Sequence, residues 1–191
     1  MAGAFRFEGY AIVSADGMIA DRNRRMPAAL QNPADQRFLT AALDRAAVLV
    51  HGRHSHEDQG TSPRRRRVVL TRHVATIAAM PDWPHAVLWN PAGAPFAVAA
   101  AALGVADGTA AILGGPGVYA LFLALGYDAF HISCVSGLTI RGGLPIFGNS
   151  ELSVNEALAA GGLAPGEPRR LDQAAEVWLT SWRKPTVGDL V

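Results

Sequence analysis

Short apolar runs, separated by polar or glycine-containing turns, are the dominant pattern along this chain. Apolar runs that end at Gly, Pro or charged residues are typical of buried β-strands. The first of them ends at Asp16-Gly17, a pair that favours a turn. The pattern predicts strands at residues 10–15, 46–50, 68–70, 86–89, 110–113, 128–134 and 177–180.

Three further segments have the composition of helices, at residues 33–45, 95–103 and 118–125. The first has a clear beginning, since Asn32 can cap the helix and Pro33 suits its first position. Asp35 lies in the first turn, where the helix dipole favours a negative charge. Phe38 and Leu39 follow it by three and four residues, so all three side chains share one face.

Strands that alternate with helices favour a parallel sheet, because each parallel connection must cross back over the sheet. We therefore predict one α/β domain over residues 1–191, with a central, mostly parallel mixed sheet flanked by helices on both faces. The stretch 159–168 is rich in Gly, Pro and Ala and is predicted to be a loop within this domain.

Composition narrows the class of protein. Half of the 191 residues are hydrophobic, only 17% are charged, and the net charge is +1, which argues against disorder and against a nucleic-acid partner. The single cysteine, Cys134, fits a reducing compartment. The beginning of the chain lacks a signal-peptide pattern, and the apolar runs are shorter than the roughly 20 residues that span a bilayer. We expect a cytoplasmic protein without a membrane partner.

Groups suited to phosphate binding follow three of the predicted strands. Gly114-Gly115 lies between a strand and a helix, Gly52-Arg53-His54-Ser55 follows a second strand, and Thr71-Arg72 ends a third. Each of them alone has an ordinary explanation, and for the two glycines this is a tight turn. Ligands of open α/β sheets bind beyond the carboxyl ends of the strands, so the three together indicate a nucleotide site.

Asp35 has two interpretations that the sequence leaves open. A carboxylate on an apolar helical face can lie in a cleft, where burial raises its pKa and suits it to proton donation. The same residue, in Asn-Pro-Ala-Asp, also fits the beginning of a helix and needs no catalytic role.

Two charged segments have ordinary explanations. His51, His54 and His56 lie close together in sequence, but no suitably placed carboxylate or thiolate completes a metal site, so we predict none. Residues 64–67 are four consecutive arginines, which are typical of a solvated loop and also suit an anionic part of a ligand.

In their order and spacing, these motifs resemble the dihydrofolate reductase superfamily, which includes the reductase domain of riboflavin biosynthesis. The resemblance runs from about residue 7 to residue 148. It comprises Asp16-Gly17-Met18-Ile19-Ala20, Met26-Pro27, Pro33-Ala34-Asp35, Gly52-Arg53-His54-Ser55, Thr71-Arg72 and Leu113-Gly114-Gly115-Pro116-Gly117-Val118-Tyr119.

The resemblance implies NADPH as the cofactor and a small heterocyclic substrate. It implies catalytic roles for Asp35 and for Ser133, which supports that carboxylate, and substrate contacts for Asp35, Leu39 and Arg65. The implied cofactor-binding residues are Ala11, Ile19, Gly52, Arg53, His54, Ser55, Thr71, Arg72, Leu113, Gly114, Gly115, Gly117, Val118 and Tyr119.

The chain combines features of two branches of this superfamily. Asp35 favours hydride transfer to a dihydropterin-like ring, as in the dihydrofolate reductases. Ala28-Ala29 replaces the tryptophan that follows Met-Pro there, and residues 46–50 and 125–147 look more like the riboflavin-pathway reductases. The alternatives are therefore reduction of a ribosylamino-pyrimidine phosphate and a non-catalytic NADPH-binding protein. The second branch suggests a homodimer by analogy alone.

Overall fold

The computed structural model describes residues 5–53, 64–148 and 151–185. Its strands are β1 (Phe5–Ser14), β2 (Met18–Ala20), β3 (Val48–Gly52), β4 (Arg67–Leu70), β5 (Ile77–Ala79), β6 (Ala86–Trp89), β7 (Gly108–Ile112), β8 (Ala129–Val135), β9 (Leu144–Pro145), β10 (Ala164–Pro165), β11 (Arg169–Asp172) and β12 (Val177–Arg183). Its α-helices are α1 (Pro33–Leu43), α2 (Phe96–Ala101), α3 (Pro116–Leu125) and α4 (Val154–Ala160).

One large sheet organises the molecule, with strand order β10-β12-β8-β1-β7-β3-β4-β6-β5 and β11 paired to β12. The six inner strands, from β8 to β6, are parallel to their neighbours. Strands β12 and β5 pair antiparallel at the two sides. The predicted mostly parallel mixed sheet is confirmed.

The two faces of the sheet carry separate cores, because successive side chains of a strand point to opposite faces. On one face Tyr10 and Leu49 pack against Leu43 of α1. On the other, Val13 and Ile112 belong to a larger aromatic and aliphatic core that α2, α3 and α4 cover. Helices on both faces are thus confirmed, with one helix on the first face and three on the second.

Several predicted boundaries were wrong. Strand β1 begins at Phe5, five residues before its predicted start, because β7 pairs with its first half. The predicted loop 159–168 contains the end of α4 and strand β10. Helix α4 begins with a capping box in which Ser153 and Glu156 satisfy each other's backbone N–H groups. The short strands β2, β5, β9 and β11 were not predicted.

No helix in the described part of the chain has both the length and the hydropathy needed to span a membrane.

Candidate functional site

A cavity of about 510 Å³ lies between α1 and the sheet and reaches the turn that follows β7. Seven of the predicted site residues line it: Ala11, Ile19, Asp35, Leu39, Leu113, Gly115 and Tyr119. The tertiary structure therefore brings together residues from β1, α1 and the β7–α3 connection. A cavity of this size suits a small molecule.

Asp35 is buried, with 6% of its surface exposed, and its side chain lines the cavity. The Asn32 side chain supplies the helix cap, since its Oδ1 accepts from the backbone N–H groups of Ala34 at 2.8 Å and Asp35 at 3.1 Å. The Asp35 carboxylate is therefore not the group that caps α1. It remains available to a molecule in the cavity.

Burial raises the pKa of Asp35, and hydrogen bonding from Ser133 lowers it in part. Ser133 comes from β8 and is 1% exposed. Its Oγ lies close enough to Asp35 to lower that pKa but makes no hydrogen bond of ordinary geometry in the described part of the chain. Ser133 and Asp35 are far apart in sequence but near each other in the fold. The supporting role of Ser133 stays a prediction.

The Gly114-Gly115 turn joins the ends of two neighbouring strands. The Gly52 backbone N–H donates to the Gly114 carbonyl at 2.7 Å, and the Leu113 N–H donates to Val50 at 2.8 Å. The peptide between the two glycines is cis, and Gly114 has φ +94°. A Cβ on Gly114 would lie 2.5 Å from the Tyr119 ring, whereas a Cβ on Gly115 would meet no atom within 4 Å. The Gly115 side of the turn is therefore open.

The other predicted phosphate contacts lie at the next strand ends. Gly52 of β3 pairs with Leu70 of β4, so Arg53 and Thr71 follow adjacent strands. Arg53 and Arg72 are exposed, and Thr71 is buried with its Oγ1 accepting from the His73 N–H at 3.2 Å. His54 and Ser55 lie outside the described residues.

The two predicted contacts on α3 differ in their surroundings. Gly117 lies in the first turn of this helix, and a Cβ placed on it would meet no atom within 4 Å. Val118 is 3% exposed and belongs to the large core. Of the two, Gly117 is therefore the one whose backbone a ligand can approach closely.

Arg65 lies in a second cavity, of about 400 Å³, together with Arg64, Arg66 and His85. It pairs with Asp44 at 2.5 Å and is largely buried. This cavity lies at the amino ends of β3, β4 and β6 and shares Leu43 with the larger one. A substrate contact by Arg65 remains a prediction, and it requires a ligand that extends along α1 past Leu43.

Sequence reasoning missed a polar cluster in the wall of the large cavity. Tyr10 and His131 line the cavity, and their rings stack with centroids 4.9 Å apart. Behind them, Glu8 accepts from the Tyr10 hydroxyl at 2.7 Å, and Ser181 lies 2.8 Å from His131 Nδ1. Alternation along β1 places Glu8 and Tyr10 on one face. The pairing with β8 and β12, which completes the cluster, has no signal in the sequence.

In ranges 5–53, 64–148 and 151–185, no group of three or more His, Cys, Asp or Glu side chains is arranged to hold a metal ion. His51 lines the large cavity, and its Nδ1 lies 2.9 Å from the Gly52 carbonyl oxygen.

No protein-family model matches the sequence, and no curated protein matches it. Solved structures do match over nearly the whole chain. A protein assigned to riboflavin biosynthesis from Shewanella sp. PV-4 is 18% identical, with 95% of this chain and 99% of that chain covered and a TM-score of 0.65. Dihydrofolate reductase from Enterococcus faecalis, complexed with NADP(H) and RAB-propyl, is 17% identical, with 95% and 97% covered and a TM-score of 0.61.

A third similar structure is that of a longer chain. It is a diaminohydroxyphosphoribosylaminopyrimidine deaminase/5-amino-6-(5-phosphoribosylamino)uracil reductase from Thermotoga maritima, 14% identical, with a TM-score of 0.65. The alignment covers 94% of this chain and 56% of that one. These likenesses establish the dihydrofolate reductase-like fold that the motifs predicted.

Proposed function

We propose that this protein is an NADPH-dependent reductase that transfers hydride to a C=N bond of a dihydropterin-like ring. The observation that carries the proposal is Asp35, a buried carboxylate with a raised pKa in a cavity that also reaches the Gly115 turn. Asp35 can supply a proton, and the open Gly115 turn can accept a cofactor's phosphates. A cavity with both groups suits a reaction between a reduced cofactor and a second substrate.

NADPH would supply the hydride from its nicotinamide ring. Gly115 and Gly117 leave space for the cofactor's phosphates beside the first turn of α3, where backbone N–H groups attract an anion. Arg53 and Arg72, at adjacent strand ends, would pair with the 2′-phosphate and so favour NADPH over NADH.

Asp35 would bind the amino-pyrimidine edge of the substrate and hold the proton that the ring nitrogen receives as hydride adds to the neighbouring carbon. Ser133 would orient the carboxylate, since its hydroxyl interacts with it. Because burial raises the pKa of Asp35, the carboxyl group keeps its proton to higher pH than an exposed aspartate does.

The test is NADPH oxidation, followed by absorbance, with 7,8-dihydrofolate and with a ribosylamino-pyrimidine phosphate as separate substrates. We expect turnover of the dihydropterin. Asp35→Asn should lower kcat by about 10²–10⁴-fold while leaving the Kd for NADPH nearly unchanged. Full activity of this variant would reduce Asp35 to a structural role, and no NADPH binding at millimolar concentration would overturn the proposal.

One observation favours a second candidate, the reduction of a ribosylamino-pyrimidine phosphate to a ribitylamino product. Arg64, Arg65 and Arg66 line a second cavity on the other side of Leu43, which suits a substrate with a phosphate at its far end. Of the similar structures, one is named for riboflavin biosynthesis and another is named as a 5-amino-6-(5-phosphoribosylamino)uracil reductase. Turnover of the pyrimidine substrate alone would select this candidate.

A third outcome separates enzymes from binding proteins. Tight NADPH binding without oxidation on either substrate would identify a non-catalytic NADPH-binding protein.

A further inference from the structure

Residues 21–25, which follow β2, form a strongly basic turn that we call the arginine turn. Its three arginines and one aspartate give it a net charge of +2, whereas the whole chain has a net charge of +1. Arg22, Arg24 and Arg25 are exposed. Among the described residues, their guanidinium groups have no ion-pair or hydrogen-bond partner. The positive charge of the turn is therefore directed to solvent.

Hydrogen bonds hold the backbone of the arginine turn in one conformation. The Asp21 N–H donates to the Arg25 carbonyl at 2.9 Å, and the Arg24 N–H donates to the Asp21 carbonyl at 2.9 Å. The Asp21 carboxylate accepts from the N–H groups of Asn23 at 2.8 Å and Arg25 at 2.9 Å. Arg24 has φ +62°, a left-handed conformation that Gly, Asn or Asp adopts at lower cost. The backbone of the turn therefore does not explain why an arginine stands there.

The arginine turn lies at the mouth of the large cavity. Ile19 and Met26, on its two sides in sequence, both line that cavity, and Met26 is 43% exposed. Strand β1 ends at Ser14, and β2 pairs with β9 outside the large sheet, so the turn lies beyond the carboxyl edge. The Gly115 turn follows β7, the parallel neighbour of β1, and lies at the same edge. Three unpaired guanidinium groups are thus near the entrance to the proposed cofactor site.

Exposed positive charges at the entrance to a binding site act mainly on the rate of association. Water and salt screen each of them in the final complex, whereas several together attract an anionic ligand over about 10 Å at roughly 0.1 M ionic strength. NADPH is such a ligand, because its 2′-phosphate and its pyrophosphate are negatively charged. Arg53 and Arg72 are also exposed at the carboxyl edge and add to the same field.

We propose that the arginine turn speeds the capture of NADPH by attracting its phosphate groups to the mouth of the cavity, without contacting the cofactor once it is bound. The inference rests on the proposed NADPH-dependent function. It assigns to the turn a role in association, which is distinct from the bound-state contacts proposed for Gly115, Arg53 and Arg72. The effect is greater for NADPH than for NADH, because NADH lacks the 2′-phosphate.

The test is the association rate constant of NADPH, measured by stopped-flow quenching of tryptophan fluorescence. Arg22→Gln/Arg25→Gln removes two charges and leaves Arg24 and the Asp21 hydrogen bonds in place. We expect the association rate constant to fall about fivefold or more at an ionic strength of roughly 0.02 M, and by less than about twofold at roughly 1 M. The dissociation rate constant should stay within about twofold of the wild-type value. An unchanged association rate constant, or a raised dissociation rate constant in its place, would overturn the inference.

Arg45→Gln/Arg183→Gln is the charge-matched control. Arg45 follows α1, and Arg183 pairs with the first residue of β8, so both exposed residues lie at the amino edge of the sheet. This variant should keep the association rate constant within about twofold of the wild-type value, because its charges lie far from the cavity mouth. An equal fall in the two double variants would assign the effect to net charge and would also sink the inference.

Steady-state turnover separates this inference from the proposed reaction. If the NADPH association rate depends on the arginine turn but NADPH is oxidised with neither substrate, the inference holds and the proposed reaction fails. If turnover occurs and the two double variants associate with NADPH at the same rate, the reaction holds and the inference fails. If NADPH does not bind at millimolar concentration, both are overturned.

Discussion

At the scale of single residues, burial decides the chemistry of the site. Asp35 is 6% exposed, and the loss of water around it disfavours the charged form. The same burial raises the pKa of Tyr119 beside it, where the Asp35 charge acts in the same direction. An exposed carboxylate at the same helical position would lose its proton at a lower pH than Asp35 does.

Asp35→Asn should therefore stabilise the protein near pH 7. The native pKa lies above the ordinary value of about 3.9, so wild-type stability falls as pH rises from that value through the raised pKa. The asparagine variant lacks this loss. Thermal melting at pH 7 and pH 4 should show a higher Tm for the variant at pH 7 and a smaller difference at pH 4. A pH-independent difference would contradict the raised pKa.

The two glycines of the β7–α3 turn should respond differently to alanine. Gly114→Ala places a Cβ 2.5 Å from the Tyr119 ring at a residue with φ +94°, so it should cost about 2–4 kcal/mol of folding free energy in a denaturant titration.

Gly115→Ala is the matched variant, because its Cβ meets no protein atom within 4 Å. It should unfold like the wild type yet raise the Kd for NADPH about tenfold, since its methyl group enters the space proposed for the cofactor. Unchanged NADPH affinity would place the cofactor elsewhere.

At the scale of elements, two sets of hydrogen bonds made by Asn32 fix the beginning of α1. Asn32 accepts from the first-turn N–H groups, and its Nδ2 donates to Asp172 at 2.9 Å. Asp172 in turn accepts from the N–H groups of Ala174 and Ala175 in the turn after β11. The β11–β12 hairpin, through Asp172, thus fixes the first turn of α1, which carries Asp35.

Asn32→Ala should lower the free energy of unfolding by about 1–2 kcal/mol through loss of the cap. It should also lower kcat roughly tenfold, because a small displacement of Asp35 weakens its contact with the substrate. Ser153→Ala, at the cap of α4, is the control: it should cost about 1 kcal/mol and leave kcat unchanged. Equal kcat values for the two variants would show that the cap has no positioning role.

At the scale of the whole molecule, strand order creates the proposed cofactor site. Strand β7 is far in sequence from β3 and β4, yet the three strands are adjacent and parallel in the sheet, so their carboxyl ends form one edge. The Gly114-Gly115 turn, Arg53 and Arg72 follow these three strands in turn. A single extended anionic ligand can contact all three groups along this edge.

Arg72→Ala should raise the Kd for NADPH about tenfold or more and leave the Kd for NADH nearly unchanged, because only NADPH carries the 2′-phosphate. Arg141→Ala, an exposed arginine in a loop after β8, serves as the charge-matched control. A parallel loss of NADH affinity would assign Arg72 to another part of the cofactor.

The sequence by itself determined the inner sheet and the α1 residues that face the site. Long apolar runs and the Asn32-Pro33 helix start are local signals, and they correctly predicted the inner strands and α1. The strand predicted at residues 86–89 has the same bounds as β6. Strands β2, β5 and β9 are two or three residues long, too short for a periodic pattern. Strand β11 is as long as β6, but three of its four residues are charged, so it lacks an apolar run and depends on its partner β12.

Only the tertiary structure determined which side chains lie next to one another in the site. Nothing local to Asp35 reveals that Ser133 lies against it, or that Arg65 lies in a second cavity beside Asp44. The His131 cluster is likewise the product of β1, β8 and β12 lying side by side. Hydrophobic pattern is a property of neighbouring residues in the chain, whereas burial and pKa depend on the neighbours that packing supplies.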